Sequence, residues 1–301
     1  MTITQVGFIG LGNMGRPMAG HLVDAGFALT VSDAAPGVTE RFVAEHPTAT
    51  VAAGHESFGA VQALILMLPT SAIVEDVLEH EGVADALPPG CLVIDMSSSE
   101  PLRTRSLAAR LQAKGLSMLD APVSGGVRGA RAARLSVLVG GSEAVLAQAT
   151  PLLTAVAKTV IRVGDIGAGH AAKALNNLVS AATMSITVEA VVVAEAFGIT
   201  AGVMTKVLNS SSGRSNTSES KLAQFMTSGS FDSGFALQLM AKDVGLAIAL
   251  ARALDRPVEV GDHVAEQWRR IAAEVTPATD HTQLYTLLGA TVPDPETGGA
   301  W

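Results

Sequence analysis

Several features whose presence would have pointed to other classes of function are missing from this chain. There is one cysteine, Cys91, which rules out an internal disulfide framework and a cysteine-built metal site and suits a reducing compartment. No run of Lys or Arg forms a basic stripe. With 20 basic against 28 acidic residues the formal net charge is -8, a balance that repels a phosphate backbone, so nucleic acid is not an expected partner. The N-terminus lacks a basic start, an apolar signal core and a small-residue cleavage site, and a cytoplasmic protein is expected. The seven histidines, His170 and His281 among them, show no ligand spacing, and no metal is expected. Internal repeats and low-complexity segments are also absent.

What the chain does have is apolar material: 48% of 301 residues, enough for two domains or one large α/β unit. Up to Gly164, short β-rich runs alternate with helical patterns. Strands are expected at 3–9, 28–32, 63–68, 91–95, 117–119, 135–139 and 159–163, with helices near 14–25, 71–79, 101–114 and 142–154. That alternation predicts α/β architecture, a Rossmann-type doubly wound parallel sheet over residues 1–164. Beyond the glycine cluster at 164–169 the β-rich runs stop. Helical patterns at 170–197, 201–208, 218–228, 235–254, 258–274 and 281–288 predict an all-α domain over 165–292 for substrate binding and oligomerisation. Residues 293–301, rich in Pro and Gly, read as a loosely ordered tail. The long apolar stretch from Leu178 to Phe197 carries Glu189 and Glu195, so a buried helix is expected there and no membrane partner.

Gly10-Leu11-Gly12-Asn13-Met14-Gly15 follows the first strand and opens the first helix, the context a G-x-G-x-x-G pattern requires. Gly10 permits a tight turn, Gly12 lets the backbone approach a pyrophosphate, and Gly15 allows the helix close to the sheet. The helix N-terminus supplies N–H donors to the phosphates. Asp33, at the end of the second strand, stands near the offset of about 20 residues at which a carboxylate meets the adenosine ribose. It would repel a 2′-phosphate, and no basic residue follows at once to receive one, so NAD is expected over NADP. The same Asp33-Ala-Ala-Pro-Gly is also ordinary turn chemistry.

Further on, Ser124-Gly125-Gly126 follows a strand and places a hydroxyl beside two glycine N–H groups, the makings of a carboxylate cradle. Gly167-Ala-Gly169-His-Ala-Ala-Lys173-Ala-Leu-Asn176-Asn177 opens the long helix, with Lys173 and Asn177 one turn apart on one face. An amide beneath an amine can fix its direction.

With these motifs assembled, the sequence resembles the β-hydroxyacid dehydrogenase family over nearly its whole length. The resemblance rests on the loop from Phe8 to Ala19, on Met67-Leu68-Pro69, on the Ser124 and Lys173 motifs, and on Met240-Ala-Lys242-Asp243. It implies that Gly10, Leu11, Gly12, Asn13, Met14 and Asp33 bind NAD, that Leu68 and Pro69 line the adenine or nicotinamide side of the cofactor cleft, and that Ser98 touches the nicotinamide end. It further implies that Ser124, Gly125 and Gly126 hold the substrate carboxylate. Lys173 would be the general base in oxidation, with Asn177 fixing it and the substrate, and Lys242 would close the site near cofactor and substrate together. The resemblance also implies pairing through the helical domain, so a homodimer or homotetramer is expected. One departure is Ala133-Arg134, where many members carry Gly-Thr.

The expected activity is hydride transfer between NAD and the hydroxyl carbon of a small 3-hydroxy carboxylic acid. Ser211-Ser212-Gly213-Arg214 favours the 3-hydroxyisobutyrate branch and leaves open whether Arg214 meets substrate. Tartronate semialdehyde reductase and serine dehydrogenase activities are the nearest alternatives. An imine reductase, or a non-catalytic NAD-binding module, is the alternative from another class. A lysine base must shed its proton near the working pH, well below its ordinary value of about 10.4.

Overall fold

The computed structural model describes residues 3–292, so the expected tail lies outside the described residues. Two compact units appear, Met1–Lys173 and Ala174–Trp301, where the sequence placed the division after Gly164.

In the first unit the chain runs β1 (Gln5–Ile9), α1 (Gly15–Asp24), β2 (Ala28–Ser32), α2 (Val38–Glu45), β3 (Thr50–Val51), β4 (Ala63–Leu66), α3 (Ser71–Glu75), α4 (Val83–Ala86), β5 (Leu92–Asp95), α5 (Pro101–Ala113), β6 (Ser117–Asp120), β7 (Val123–Ser124), α6 (Gly126–Arg131), β8 (Leu135–Gly140), α7 (Glu143–Val156) and β9 (Ala157–Gly164). The central strands β4 and β5 are buried at every position. That is why their sequences are continuous apolar runs: helices cover both faces of a parallel sheet. One apolar layer gathers Phe8, Met18, Leu22, Val31 and Phe42, and the other Leu64, Leu66, Leu78, Val93 and Leu107.

Strand order is β3-β2-β1-β4-β5-β6-β8-β7, with β9 on β8. Neighbours from β3 to β6 are parallel. Order therefore reverses between β1 and β4, and a doubly wound sheet opens its ligand crevice at the carboxyl ends of the strands flanking such a point. The all-parallel expectation fails at β8, which runs antiparallel to β6 and β7. Val123 faces Val137 and Ser124 faces Ser136, a hairpin-like return. The segment between β6 and β8 spends its length on β7 and the six-residue α6, too little for the crossover a parallel return needs. The short elements α2, β3, α4 and α6 were not foreseen, because none is long enough to set up a period.

α8 (Ala168–Phe197) begins in the first unit and continues into the second. The second unit adds α9 (Ala201–Ser210), wider π-type turns over Thr217–Met226, α10 (Leu237–Ala253), α11 (Glu259–Ala272), a 3₁₀ turn at His281–Gln283 and α12 (Leu284–Leu287). Its core holds Ala181, Met184, Val188 and Val191 of α8 with Val244, Trp268, Leu284 and Tyr285. By length and composition α8 could cross a membrane. Its buried stripe lines this core, while Val179, Ile186, Val193 and Phe197 are exposed.

Candidate active site

β1 ends in the glycine loop. Gly10 has φ +99°, and a Cβ there would run into the Met67 carbonyl, while one at Gly15 would run into the Gly10 carbonyl. The loop is thus wedged between β1, α1 and the end of β4, and only glycine allows it. At Gly12 a Cβ would meet nothing within 4 Å. α1 starts there without a side-chain cap or an acid in its first turn. Open space over uncapped N–H groups suits a pyrophosphate. Leu11 is buried, Gly12 and Asn13 are exposed, and Met14 is half-buried.

Asp33 lies one residue past β2. Its Oδ2 accepts the Leu11 N–H at 2.7 Å and its Oδ1 the Ala35 N–H at 2.8 Å. The carboxylate therefore ties the glycine loop to the end of β2 and also caps its own turn. Each oxygen keeps a further lone pair, so the turn role leaves acceptor capacity for ribose hydroxyls.

Leu68 and Pro69 follow β4, and Ser98 follows β5. The Leu68 N–H donates to Ser97 Oγ at 2.9 Å, and Ser97 N–H and Ser99 Oγ donate to the Asp95 carboxylate at 3.0 and 2.9 Å. Ser97 and Ser99 are buried and Ser98 half-buried between them, as a turn pinned from beneath requires. Asp95 is the anchor, and the sequence reading passed over it.

Asp120, paired in register with Asp95, is 0% exposed. Its Oδ1 accepts the Gly167 N–H at 2.7 Å and its Oδ2 the His170 N–H at 2.8 Å. The Ala171 N–H reaches the Gly167 carbonyl at 3.0 Å, so Gly167 is the N-cap of α8 and His170 its third residue. A carboxylate at the end of β6 thus satisfies orphan donors of the helix and faces the positive end of its dipole. A Cβ on Gly140 would collide with the Asp120 carboxylate, and one on Gly169 with the Leu138 carbonyl. The Gly-Ala-Gly motif is accordingly a steric demand of seating α8 against β6 and β8. Lys173, three residues beyond His170, is 8% exposed.

β7 delivers Ser124, half-buried, to Gly125 and Gly126, whose φ values are +123° and +60°. Two positive-φ residues in succession redirect the N–H groups, and α6 starts at Gly126. Cradle and lysine both belong to the first unit.

In the second unit Asn177 Nδ2 donates to Asp243 Oδ2 at 2.7 Å, both groups buried. That bond fixes the amide, leaving Oδ1, which also faces Asn176 Nδ2 at 3.3 Å, as the acceptor. Lys242 Nζ stands 3.2 Å from Asp243 Oδ1, with 26% of its side chain exposed. Arg214 is 64% exposed and faces Glu219 at 3.5 Å. Asp243 was missed although its neighbour Lys242 was chosen. Among the described residues, no group of three His, Cys, Asp or Glu side chains is placed to hold a metal ion.

Comparison with known proteins shows the family. Residues 5–164 match the NAD binding domain of 6-phosphogluconate dehydrogenase, and residues 167–288 the NAD-binding domain of NADP-dependent 3-hydroxyisobutyrate dehydrogenase. The chain is 39% identical over 246 residues to 2-(hydroxymethyl)glutarate dehydrogenase of Eubacterium barkeri, covering 81% of each protein. It is 35% identical to NAD-dependent L-serine dehydrogenase of Pseudomonas aeruginosa, covering 95% of this chain and 98% of that protein. A solved structure of Mycobacterium tuberculosis 3-hydroxyisobutyrate dehydrogenase with L-serine superposes with a TM-score of 0.89 at 33% identity, over 96% of this chain and all of that one. The two family matches and relatives covered over 81–96% of this chain show that it belongs to the β-hydroxyacid dehydrogenase family of NAD-dependent oxidoreductases.

Proposed function

We propose that this protein oxidises the hydroxyl of a small 3-hydroxy carboxylic acid with NAD, a 3-hydroxyisobutyrate-like acid being favoured and L-serine the second reading. The observation that carries the proposal is the placement of Lys173, buried on the first turns of a helix that Asp120 holds to the sheet. L-serine is kept because the relative from Pseudomonas aeruginosa is named for it and the Mycobacterium tuberculosis structure contains it.

In this reading Gly10, Leu11, Gly12, Asn13 and Met14 bind the pyrophosphate, Asp33 the ribose hydroxyls, and Leu68, Pro69 and Ser98 border the nicotinamide end. Ser124 and the N–H groups of Gly125 and Gly126 hold the substrate carboxylate, which fixes the hydroxyl carbon. Lys173 Nζ takes the hydroxyl proton as the carbonyl forms, and returns it in the reverse direction. The bound nicotinamide supplies the hydride acceptor. Asn177 Oδ1, aimed by Asp243, accepts from the ammonium or the substrate hydroxyl, and Lys242 keeps the role toward cofactor and substrate that the family resemblance gives it.

NAD is favoured over NADP because a carboxylate at Asp33 repels a 2′-phosphate. A cytoplasmic homodimer or homotetramer is proposed, paired through the second unit. There the exposed Val179, Ile186, Val193 and Phe197 of α8 form a stripe that a second copy would cover.

The test is a panel of initial rates with NAD and NADP over 3-hydroxyisobutyrate, L-serine, glycerate, threonate, 3-hydroxypropionate, tartronate semialdehyde and a cyclic imine. The expected result is the highest kcat/KM for 3-hydroxyisobutyrate with NAD, with L-serine next. Turnover confined to the imine, or preference for NADP, would overturn the assignment.

A further inference from the structure

His170 has no part in the chemistry described above, yet its side chain is sealed from solvent. Thr104 Oγ1 has one proton, which the Glu100 carbonyl at 3.1 Å and His170 Nδ1 at 2.8 Å can each accept. The ring is turned so that Nε2 faces Asp95 Oδ2 at 3.7 Å, without a hydrogen-bond partner of its own. The other acidic group near the ring is Asp120, whose Oδ2 lies 3.9 Å from Nδ1 and already receives the His170 N–H.

Asp95 is the carboxylate that anchors Ser97 and Ser99, and Ser97 in turn receives the Leu68 N–H. Both loops assigned to the cofactor cleft thus hang on one buried carboxylate. The group lying against it comes from the first turn of α8, three residues before Lys173. The two ends of the hydride-transfer geometry, the cofactor loops and the lysine, are therefore linked inside the first unit by one ring.

We propose that His170 is a positioning residue for cofactor and base together. Held by Thr104 at Nδ1 and facing Asp95 with Nε2, it sets the loop bearing Ser98 relative to the helix bearing Lys173. The idea rests on the NAD-dependent dehydrogenase assignment for its effect on turnover, but its effect on cofactor affinity is independent of which substrate is used.

The experiment compares His170→Phe, His170→Gln and Thr104→Val with the parent. NAD affinity is read by calorimetry, kcat at saturating NAD by absorbance, and melting temperature by circular dichroism. His170→Phe fills the volume without facing Asp95 with a polar atom. It should weaken NAD binding and lower kcat by about tenfold each, since small displacements near the reacting atoms are costly. His170→Gln, whose amide can donate to Asp95, should recover most of both. If His170→Phe does not fold, Thr104→Val, which removes the Nδ1 partner with little change of shape, should move both quantities the same way by about threefold. A folded His170→Phe within twofold of the parent in affinity and kcat, equal losses in the Phe and Gln variants, or a shift of melting temperature alone would each overturn the proposal. A parent that binds NAD but oxidises none of the panel would defeat the functional assignment while leaving the affinity comparison valid.

Discussion

Replacing Asp120 with alanine attacks the seat of the long helix directly. The carboxylate is fully buried and accepts two N–H groups, from Gly167 at 2.7 Å and His170 at 2.8 Å. A hydrogen bond to a charged group contributes about 1.5–3 kcal/mol, and a buried donor left without a partner costs about 1–3 kcal/mol. The negative charge also faces the helix N-terminus, for which up to about 2 kcal/mol is usual in partly buried geometry. These contributions overlap, because removing the acceptor is what orphans the donors, so a total of about 4 kcal/mol is expected. For a unit of this size that lowers the melting temperature by on the order of 10 °C. Asp120→Asn should cost roughly half as much, since its amide oxygen keeps one bond while its NH₂ opposes the other donor. Thermal and urea unfolding followed by circular dichroism measure both. At a temperature where the variants are folded, kcat should still fall at least about tenfold, because Lys173 rides on the loosened turn. An Asp120→Ala protein that melts within 2–3 °C of the parent, corresponding to about 1 kcal/mol, would refute the idea that this carboxylate seats the helix.

Three further outcomes are expected. Lys173→Ala should lower kcat by about a hundredfold or more with the NAD dissociation constant little changed; near-parent turnover in stopped-flow assays would remove the lysine from the mechanism. Ala133 has φ +49°, the left-handed region that costs a residue with a Cβ about 1–2 kcal/mol. After the added freedom of the unfolded chain is subtracted, Ala133→Gly should stabilise the protein by about 0.5–1 kcal/mol in urea unfolding; a lower midpoint would contradict that balance. His281 is held down to about 4, first by burial and then by the charge of Lys221, with Asp280 opposing. Because the unfolded chain takes up a proton that the folded one refuses, stability is fully present above about pH 6.5 and is lost as pH falls toward 4, by on the order of 3 kcal/mol. Burial alone would raise the Asp280 carboxyl, but bonds from Thr282 and Ser233 outweigh it and hold the group low, so its contribution is lost on acidification as well. Urea midpoints at pH 7 and pH 5 should differ in the parent and much less in His281→Asn; identical slopes would discard the assignment.

Much of the site was legible along the chain because its signals are local. Gly10, Gly12 and Gly15 announce themselves between a strand and a helix, and at Gly10 and Gly15 close backbone approach leaves glycine as the only choice. Lys173 and Asn177 share a helix face by spacing alone. By contrast Asp95, Asp120 and Asp243 give no local signal. Each acts on a partner about 50 to 70 residues away or on a neighbouring loop, and a carboxylate that caps a remote helix looks like any other Asp until the chain folds.

The sequence by itself determined the doubly wound half, the helical half, the nucleotide loop and the shared face of Lys173 and Asn177, because periodicity, glycine sterics and helix geometry are properties of short segments. The tertiary structure decided the antiparallel return at β8, the double duty of Asp33 and the buried His170–Asp95–Asp120 cluster. Those depend on which strand ends become neighbours in the sheet, and register is set by packing across the whole first unit rather than by any stretch of it.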